Sequence, residues 1–311
     1  MEAERILITG GAGFIGSHLA EALLEKGHAV HVLDNLYMGK RENVPPAARF
    51  FEGDIQNPSI VEQAMEGVDA VVHLAARVAI RDSLSHFCED AQTNLIGTLQ
   101  LLQHCGKRNI RKFIFASSMA VYGDSQKPTP ISETYLQEPI SPYGIAKLAG
   151  EKYVGLLCKQ FNLPWIGLRY FNVYGPRQTF TPYVGVITIF IRNLQKGKPI
   201  TIFGDGNQER DFIYVGDIVK ATLLALESDV NGEVFNVGTG RGTSVKQIAQ
   251  LLIQNLQPGL EPLFQASQPG EIRHSIADIS KIQRTLGFEP DAKLSEKISE
   301  VIAWNEQEEA G

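Results

Sequence analysis

The strongest constraint on the fold lies within the first 34 residues. An apolar run, Arg5-Ile6-Leu7-Ile8-Thr9, leads directly into Gly10-Gly11-Ala12-Gly13-Phe14-Ile15-Gly16. A helical pattern follows, with Leu19 and Leu23 on one face and Gly27 as its stop, and His28 to Asp34 then reads as a second strand. Glycines at 11, 13 and 16 fit GxGxxG, and those at 10, 13 and 16 fit its GxxGxxG variant. Such a turn brings backbone close to a pyrophosphate and packs the helix tightly on the strand. The helix N-terminus then offers free N–H groups and the positive end of its dipole to the anion. A strand, glycine turn, helix and second strand ending in an acid, in that order, predict a dinucleotide-binding βαβ unit.

Asp34 ends the second strand, where a carboxylate accepts from the adenosine ribose hydroxyls and repels a 2′-phosphate. NAD is therefore expected in preference to NADP. Asp54, in Gly53-Asp54-Ile55, follows the next short strand, Arg49-Phe50-Phe51. It could accept from the adenine amino group, or equally cap a helix starting near Ser59.

Further buried strands are predicted at 69–74, 112–116 and 164–169, with helical patterns over Asn94 to Lys107 and Pro142 to Lys159. Apolar strands alternating with helices imply a parallel sheet covered on both faces and joined by right-handed crossovers. The expected fold is α/β, a Rossmann doubly wound parallel sheet with a smaller, mostly helical C-terminal lobe. Residues 1–170 should form the dinucleotide domain. Phe212 to Leu226 and Glu233 to Val237 are expected to rejoin it as a helix and a strand, so that 212–238 returns to the sheet. Residues 171–211 and 239–311 are expected to form the substrate lobe.

With 43% hydrophobic and 21% charged residues in a 311-residue chain, a sizeable core is available, which excludes a disordered or disulfide-framework protein. The net charge of −6 argues against a nucleic-acid partner, whose backbone needs a basic face. Cys88, Cys105 and Cys158 form no CxxC pair and read as buried thiols in a reducing, cytoplasmic setting. No signal-peptide pattern opens the sequence, and the longest apolar run, near Val184 to Ile191, is far too short to span a bilayer.

Ser141-Pro142-Tyr143-Gly144-Ile145-Ala146-Lys147 carries the chemistry. Ser141 and Pro142 suit a helix start, and Tyr143 and Lys147, four residues apart, share a helix face. A nearby ammonium is expected to lower the phenol pKa, so that Tyr143 serves as a general base on a hydroxyl. Ser117 and Ser118 end the 112–116 strand, where ligand sites of open parallel sheets lie. Asn94 either bonds a buried loop or caps its helix. Arg210 and Arg273 suit a diphosphate. His73 and His274 lack metal-ligand spacing and read as structural; no metal is expected.

These residues resemble the extended short-chain dehydrogenase/reductase superfamily, and within it the NAD-dependent UDP-hexose 4-epimerases of the UDP-glucose (galactose) type. The likeness covers nearly the whole chain. It rests on TGGAGFIG at 9–16, LDN at 33–35, GDI at 53–55, HLAA at 73–76, SSMAVYG at 117–123, SPYGIAK at 141–147, RYFNVYGPRQ at 169–178, GDGNQERDFIYV at 204–215 and PGEIRHSIAD at 269–278. The resemblance implies that Ser118, Tyr143 and Lys147 are catalytic. It implies that Gly10, Gly13, Phe14, Ile15, Gly16, Asp34, Asn35, Asp54, Ile55, Leu74, Ala75, Ala76, Asn94, Tyr143, Lys147 and Tyr170 hold the cofactor. Ser118, Tyr143, Asn172, Val186, Thr201, Ile202, Phe203, Arg210, Arg273 and Ser275 are implied to hold the UDP-sugar. The implied reaction removes the sugar 4-OH proton to Tyr143 and the C4 hydride to NAD, turns the 4-keto sugar, and returns the hydride to its other face. The family is usually dimeric, pairing the helices at 94–107 and 142–159.

Many relatives place an Arg before the PGE segment, where this chain has Gln268, which weakens the expected diphosphate clamp. The family's 4,6-dehydratases and decarboxylases carry an acid just after the residue matching Ser118; here Met119-Ala120 follows. A UDP-glucuronate 4-epimerase is the nearer alternative. A non-catalytic NAD-binding scaffold would lack the Tyr or the Lys, and both are present. In the family, Ser275 matches a position bordering the sugar's 2-substituent. A bulky residue there restricts the enzyme to glucose and galactose, and a small one admits N-acetylated sugars.

Overall fold

A computed structural model describes residues 3–78, 80–123, 129–180, 185–267 and 272–310. Gln268 lies outside them. The first half alternates strand and helix: β1 (Arg5–Thr9), α1 (Phe14–Glu25), β2 (Ala29–Asp34), β3 (Arg49–Glu52), α2 (Pro58–Ala64) and β4 (Ala70–His73). Two short helices, α3 (Ile80–Ser83) and α4 (Phe87–Ala91), run into a π-helical turn (Gln92–Gly97) and then α5 (Thr98–Cys105). The helix expected from Asn94 thus opens within a wider π turn before it becomes α-helical at Thr98. β5 (Lys112–Ser118), α6 (Pro142–Phe161) and β6 (Trp165–Tyr170) complete this half.

After residue 170 the elements shorten: β7 (Asn172–Tyr174), α7 (Val186–Gln195), β8 (Thr201–Phe203), β9 (Glu209–Arg210), β10 (Phe212–Tyr214), α8 (Val215–Glu227) and β11 (Glu233–Val237). Then come β12 (Thr243–Ser244), α9 (Val245–Leu256), β13 (Leu263–Gln265), β14 (His274–Ser275), α10 (Ser280–Leu286) and α11 (Leu294–Ala310). The helix expected over Phe212 to Leu226 begins only at Val215. Phe212 to Tyr214 instead pair in parallel with Asn172 to Tyr174. A three-residue strand is too short to show a period of two, so its partner, not its own pattern, decides its state.

Seven parallel strands form the main sheet in the order β11-β6-β5-β4-β1-β2-β3. The order reverses between β4 and β1, and this switch point opens a crevice beyond the C-terminal strand ends. Both faces are covered. Ile6, Ile8, Val30, Val32, Ile114 and Leu168 pack on one side with α1 and α8, and Leu7, Leu33, Val71, Phe113 and Phe115 pack on the other with α2, α5 and α6. A third core joins Ile187, Phe190, Ile191 and Leu194 of α7 to Ile248, Ala249 and Leu252 of α9 and Ile298 and Val301 of α11. Small sheets flank it: β13 beside β8, and β12-β9-β14. Among the described residues no helix is long and apolar enough to cross a membrane.

Candidate active site

The glycine turn is shaped by close approach. Gly10 has φ of +73°, and a Cβ there would stand 2.7 Å from the Ala75 backbone N, just past the end of β4. At Gly16 a Cβ would stand 2.3 Å from the Gly10 carbonyl, so the first turn of α1 can seat on the loop only without a side chain. Gly13 precedes Phe14, Ile15 and Gly16 with no side-chain cap and no acid in the first turn. The unoccupied N–H groups and the helix dipole fit an anion there.

Asp34 is nearly buried and accepts from Ala12 N (3.0 Å) and Leu36 N (2.8 Å), tying the glycine loop to the end of β2. Burial pushes its carboxyl above the usual range, and the two backbone donors oppose this. Asp54 accepts from Gln56 N (2.8 Å) and from the Asn35 side chain (2.7 Å), joining the loops after β2 and β3 next to Ile55. It does not cap α2: Asn57 does, accepting from Ser59 N. With Leu74, Ala75 and Ala76 leaving β4, these residues gather around the switch point in an arrangement that fits a dinucleotide.

Asn94 is fully buried and bonds the loop after β4. Its Oδ1 accepts from Arg77 N (2.8 Å), and its Nδ2 donates to Arg77 O (2.9 Å) and to Asp90 (2.9 Å). Of the two readings open in the sequence, loop anchoring is the one the structure shows; the side chain caps no helix. A hydrogen-bond chain not foreseen from sequence runs behind it. Thr98 Oγ1 donates to Asn94 O (2.8 Å), so it accepts from His73 Nε2 (2.8 Å), leaving His73 Nδ1 to accept from Thr9 Oγ1 (2.7 Å). His73 is structural, as its lack of metal-ligand spacing suggests, and among the described residues no His, Cys, Asp and Glu cluster could hold a metal.

Tyr143 and Lys147 lie in the first two turns of α6. The Ser141 side chain caps this helix by accepting from Gly144 N (3.1 Å), and Pro142 occupies its first position. Ser118, at the end of β5, hydrogen-bonds the Tyr143 phenol and sits in register with Tyr170 at the end of β6. The Tyr170 hydroxyl is directed away, to Thr222 Oγ1 (2.9 Å) on α8.

Lys147 does not set the phenol pKa as its spacing suggests. Its Nζ donates to Ala116 O (2.9 Å) and stands 5.9 Å from the Tyr143 ring centroid. Burial dominates at both groups: the phenol is pushed up to about 12, against the bond from Ser118, and the ammonium is pushed down to about 8, against the charges of Asp90 and Glu151.

Glu151 was missed in the sequence, although it lies two turns beyond Tyr143 on the same face. Its carboxylate forms a buried two-point pair with Arg169 (2.8 and 2.7 Å) and accepts from Ser117. Arg169 also donates to the Tyr122 hydroxyl (2.6 Å), which donates to Asn236 (2.6 Å). The network joins β5, β6, β11 and α6 directly behind the catalytic candidates.

Of the residues expected to bind substrate, Asn172, Thr201, Ile202, Phe203, Arg210 and Ser275 occupy the smaller sheets. Asn172 N donates to Asp211 O (3.0 Å), while Arg210 and Ser275 are register partners on β9 and β14, so these three come together. The Asn172 Oδ1 and Ser275 Oγ are buried without a hydrogen-bond partner among the described residues. Arg273 makes an exposed two-point pair with Asp205 (3.0 and 3.3 Å), in the turn after β8. Thr201 and Phe203 are partly accessible, whereas the Ile202 side chain is part of the third core, so only its backbone could face a ligand. Val186 opens α7 and packs against that core.

Residues 6–238 match the family model described as the NAD dependent epimerase/dehydratase family. Among solved structures, the chain is similar to the UDP-glucose 4-epimerase of Thermotoga maritima, determined with UDP-glucose: 41% identity, TM-score 0.94, covering 98% of this chain and 99% of that one. It is similar to a UDP-N-acetylglucosamine 4-epimerase from Methanobrevibacter ruminantium, determined with UDP-N-acetylmuramic acid, at 36% identity, TM-score 0.94, and 99% and 100% coverage. A UDP-glucuronic acid 4-epimerase from Bacillus cereus, determined with UDP-glucuronic acid and NAD, matches at 36% identity, TM-score 0.90, and 97% and 99% coverage. Together with the glycine loop, Asp34 and the Ser118, Tyr143 and Lys147 set, these matches establish that the chain belongs to the NAD-dependent epimerase/dehydratase family.

Proposed function

We propose that the protein is a UDP-hexose 4-epimerase that interconverts UDP-glucose with UDP-galactose, and UDP-N-acetylglucosamine with its C4 epimer, through a transient 4-keto sugar. The observation that carries this reading is the meeting of Ser118, Tyr143 and Lys147 at the C-terminal ends of the strands, beside a crevice built for a dinucleotide. The glycine turn, Asp34 and the loop at 74–76 would hold NAD, which would supply a hydride acceptor and donor. Tyr143 takes the proton from the sugar 4-OH and gives it back, and the bond from Ser118 favours its phenolate. Lys147 supplies the one ammonium buried beside the phenol among the residues described here. Met119 and Ala120 after Ser118 offer no acid for elimination, which disfavours a dehydratase or decarboxylase.

The substrate lobe we assign to 171–211 and 239–311 takes the nucleotide end. Asn172 and Arg210 suit the diphosphate, and Ser275 suits the sugar's 2-substituent. Ser275 is small, so an N-acetyl group has room where a Tyr ring would stand. We further assign a homodimer. Ile145 (56% exposed) and Leu156 (65% exposed) on α6 form an apolar face that a second copy would cover. Cys105 and Cys158 are buried free thiols, whereas Cys88 is exposed and not buried as its sequence suggests; free thiols accord with a cytoplasmic setting.

The test is conversion of UDP-glucose, UDP-N-acetylglucosamine and UDP-glucuronate without added NAD, by wild type and Ser275→Tyr. Wild type is expected to epimerise the first two, and the variant to lose the N-acetylated sugar selectively. Conversion of UDP-glucuronate alone would replace this reading with the glucuronate one. Equal loss of both activities in the variant would remove Ser275 from the pocket.

A further inference from the structure

The two loops that border the cofactor crevice touch each other through their side chains. After β2 the chain turns sharply at Leu36, whose φ of +58° lies in the left-handed region and whose N–H bonds Asp34 (2.8 Å). This turn presents Tyr37, 59% exposed, with its backbone N–H held by Asn35 Oδ1 (3.0 Å). After β4, Arg77 is fixed by its own backbone, with both its N–H and its carbonyl bonded to the buried Asn94 side chain. Its guanidinium lies over the Tyr37 ring, 4.8 Å from the centroid, and one N–H reaches Asp82 (3.4 Å). β2 and β4 are the two neighbours of β1 in the sheet, so the stack bridges the loops on either side of the glycine turn.

We propose that the Tyr37–Arg77 stack is a clasp across the cofactor crevice that slows release of NAD. The proposal rests on the function proposed above, in which NAD is retained through repeated turnovers. Its physical basis is direct. The sheet itself joins the two loops only at their bases, through the pairing of β1 with β2 and with β4. A stacked pair joining the outer ends of both loops must open before they can part. An aromatic face and a guanidinium suit this role, because the pair is planar, tolerates exposure to water, and breaks and reforms without leaving a buried charge.

The test is the rate of NAD release, read by displacement from the loaded protein, together with the amount of NAD that co-purifies. Tyr37→Ser and Arg77→Gln should each release NAD about two- to fivefold faster, as expected for loss of one partly exposed cation–π pair. The double variant should be no faster than either single one, because both remove the same contact. Tyr37→Phe keeps the ring and should keep the wild-type rate. Unchanged release in Tyr37→Ser, faster release in Arg77→Gln alone, or additive effects in the double variant would each overturn the clasp. Wild-type protein that binds no NAD at all would instead overturn the proposed function.

Discussion

At Tyr143 two opposing influences can be weighed against each other. Burial pushes the phenol up to about 12, while Ser118 favours the phenolate, and Lys147 is buried nearby with its own affinity for protons reduced to about 8. Burial thus makes the phenol hold its proton more firmly than it would in water. Tyr143→Phe removes the oxygen and keeps the ring's packing. Turnover is expected to fall about 10²- to 10⁴-fold, with the fold and the co-purifying NAD retained. Near-normal turnover in this variant would take the role of base away from Tyr143. The placement of Tyr143 and Lys147 on one helix face and of Ser118 at a strand end was legible in the sequence, because helix spacing and strand ends are local. The pKa balance was not legible, because burial comes from residues distant in the chain.

The elements around the site divide along the same line. The start of α6 was written in Ser141 and Pro142, and the glycine turn in Gly10, Gly13 and Gly16. The Glu151–Arg169 pair needed the sheet to bring β6 beside β5, and the short strand β10 needed β7 as its partner. The chain from Thr9 through His73 and Thr98 to Asn94 links β1, β4 and α5 by three hydrogen bonds of 2.7 to 2.8 Å. Burial holds the His73 imidazole neutral, its pKa pushed down to about 3. The unfolded chain takes up that proton near the ordinary value of about 6.5, so below that pH it binds more protons than the native state, and stability falls with acidification. Between about pH 6.5 and about pH 4.5 this group alone should remove about 2 kcal/mol. Denaturant unfolding at the two pH values checks this. His73→Gln should be less stable at neutral pH and lose less on acidification than wild type, and an unchanged pH dependence would show that His73 does not set it.

At the scale of the whole molecule, strand order decides where chemistry can happen. The reversal between β4 and β1 puts the glycine turn, Asp34 and the loop at 74–76 around one crevice. β5, β6 and α6 deliver Ser118, Tyr170, Tyr143 and Lys147 beside it. The doubly wound sheet could be anticipated from the alternation of apolar strands and helices. The small sheets that hold Arg210, Ser275 and Phe203 could not, since strands of two or three residues carry almost no periodic signal. In the proposed reaction the two C4 epimers are interconverted by removing hydrogen from C4 and restoring it to the same carbon. UDP-glucose carrying deuterium at C4, incubated with the purified protein and no added NAD, tests this most directly. The expected product is UDP-galactose that keeps its deuterium at C4. Loss of the label to water, or product without inversion at C4, would contradict it.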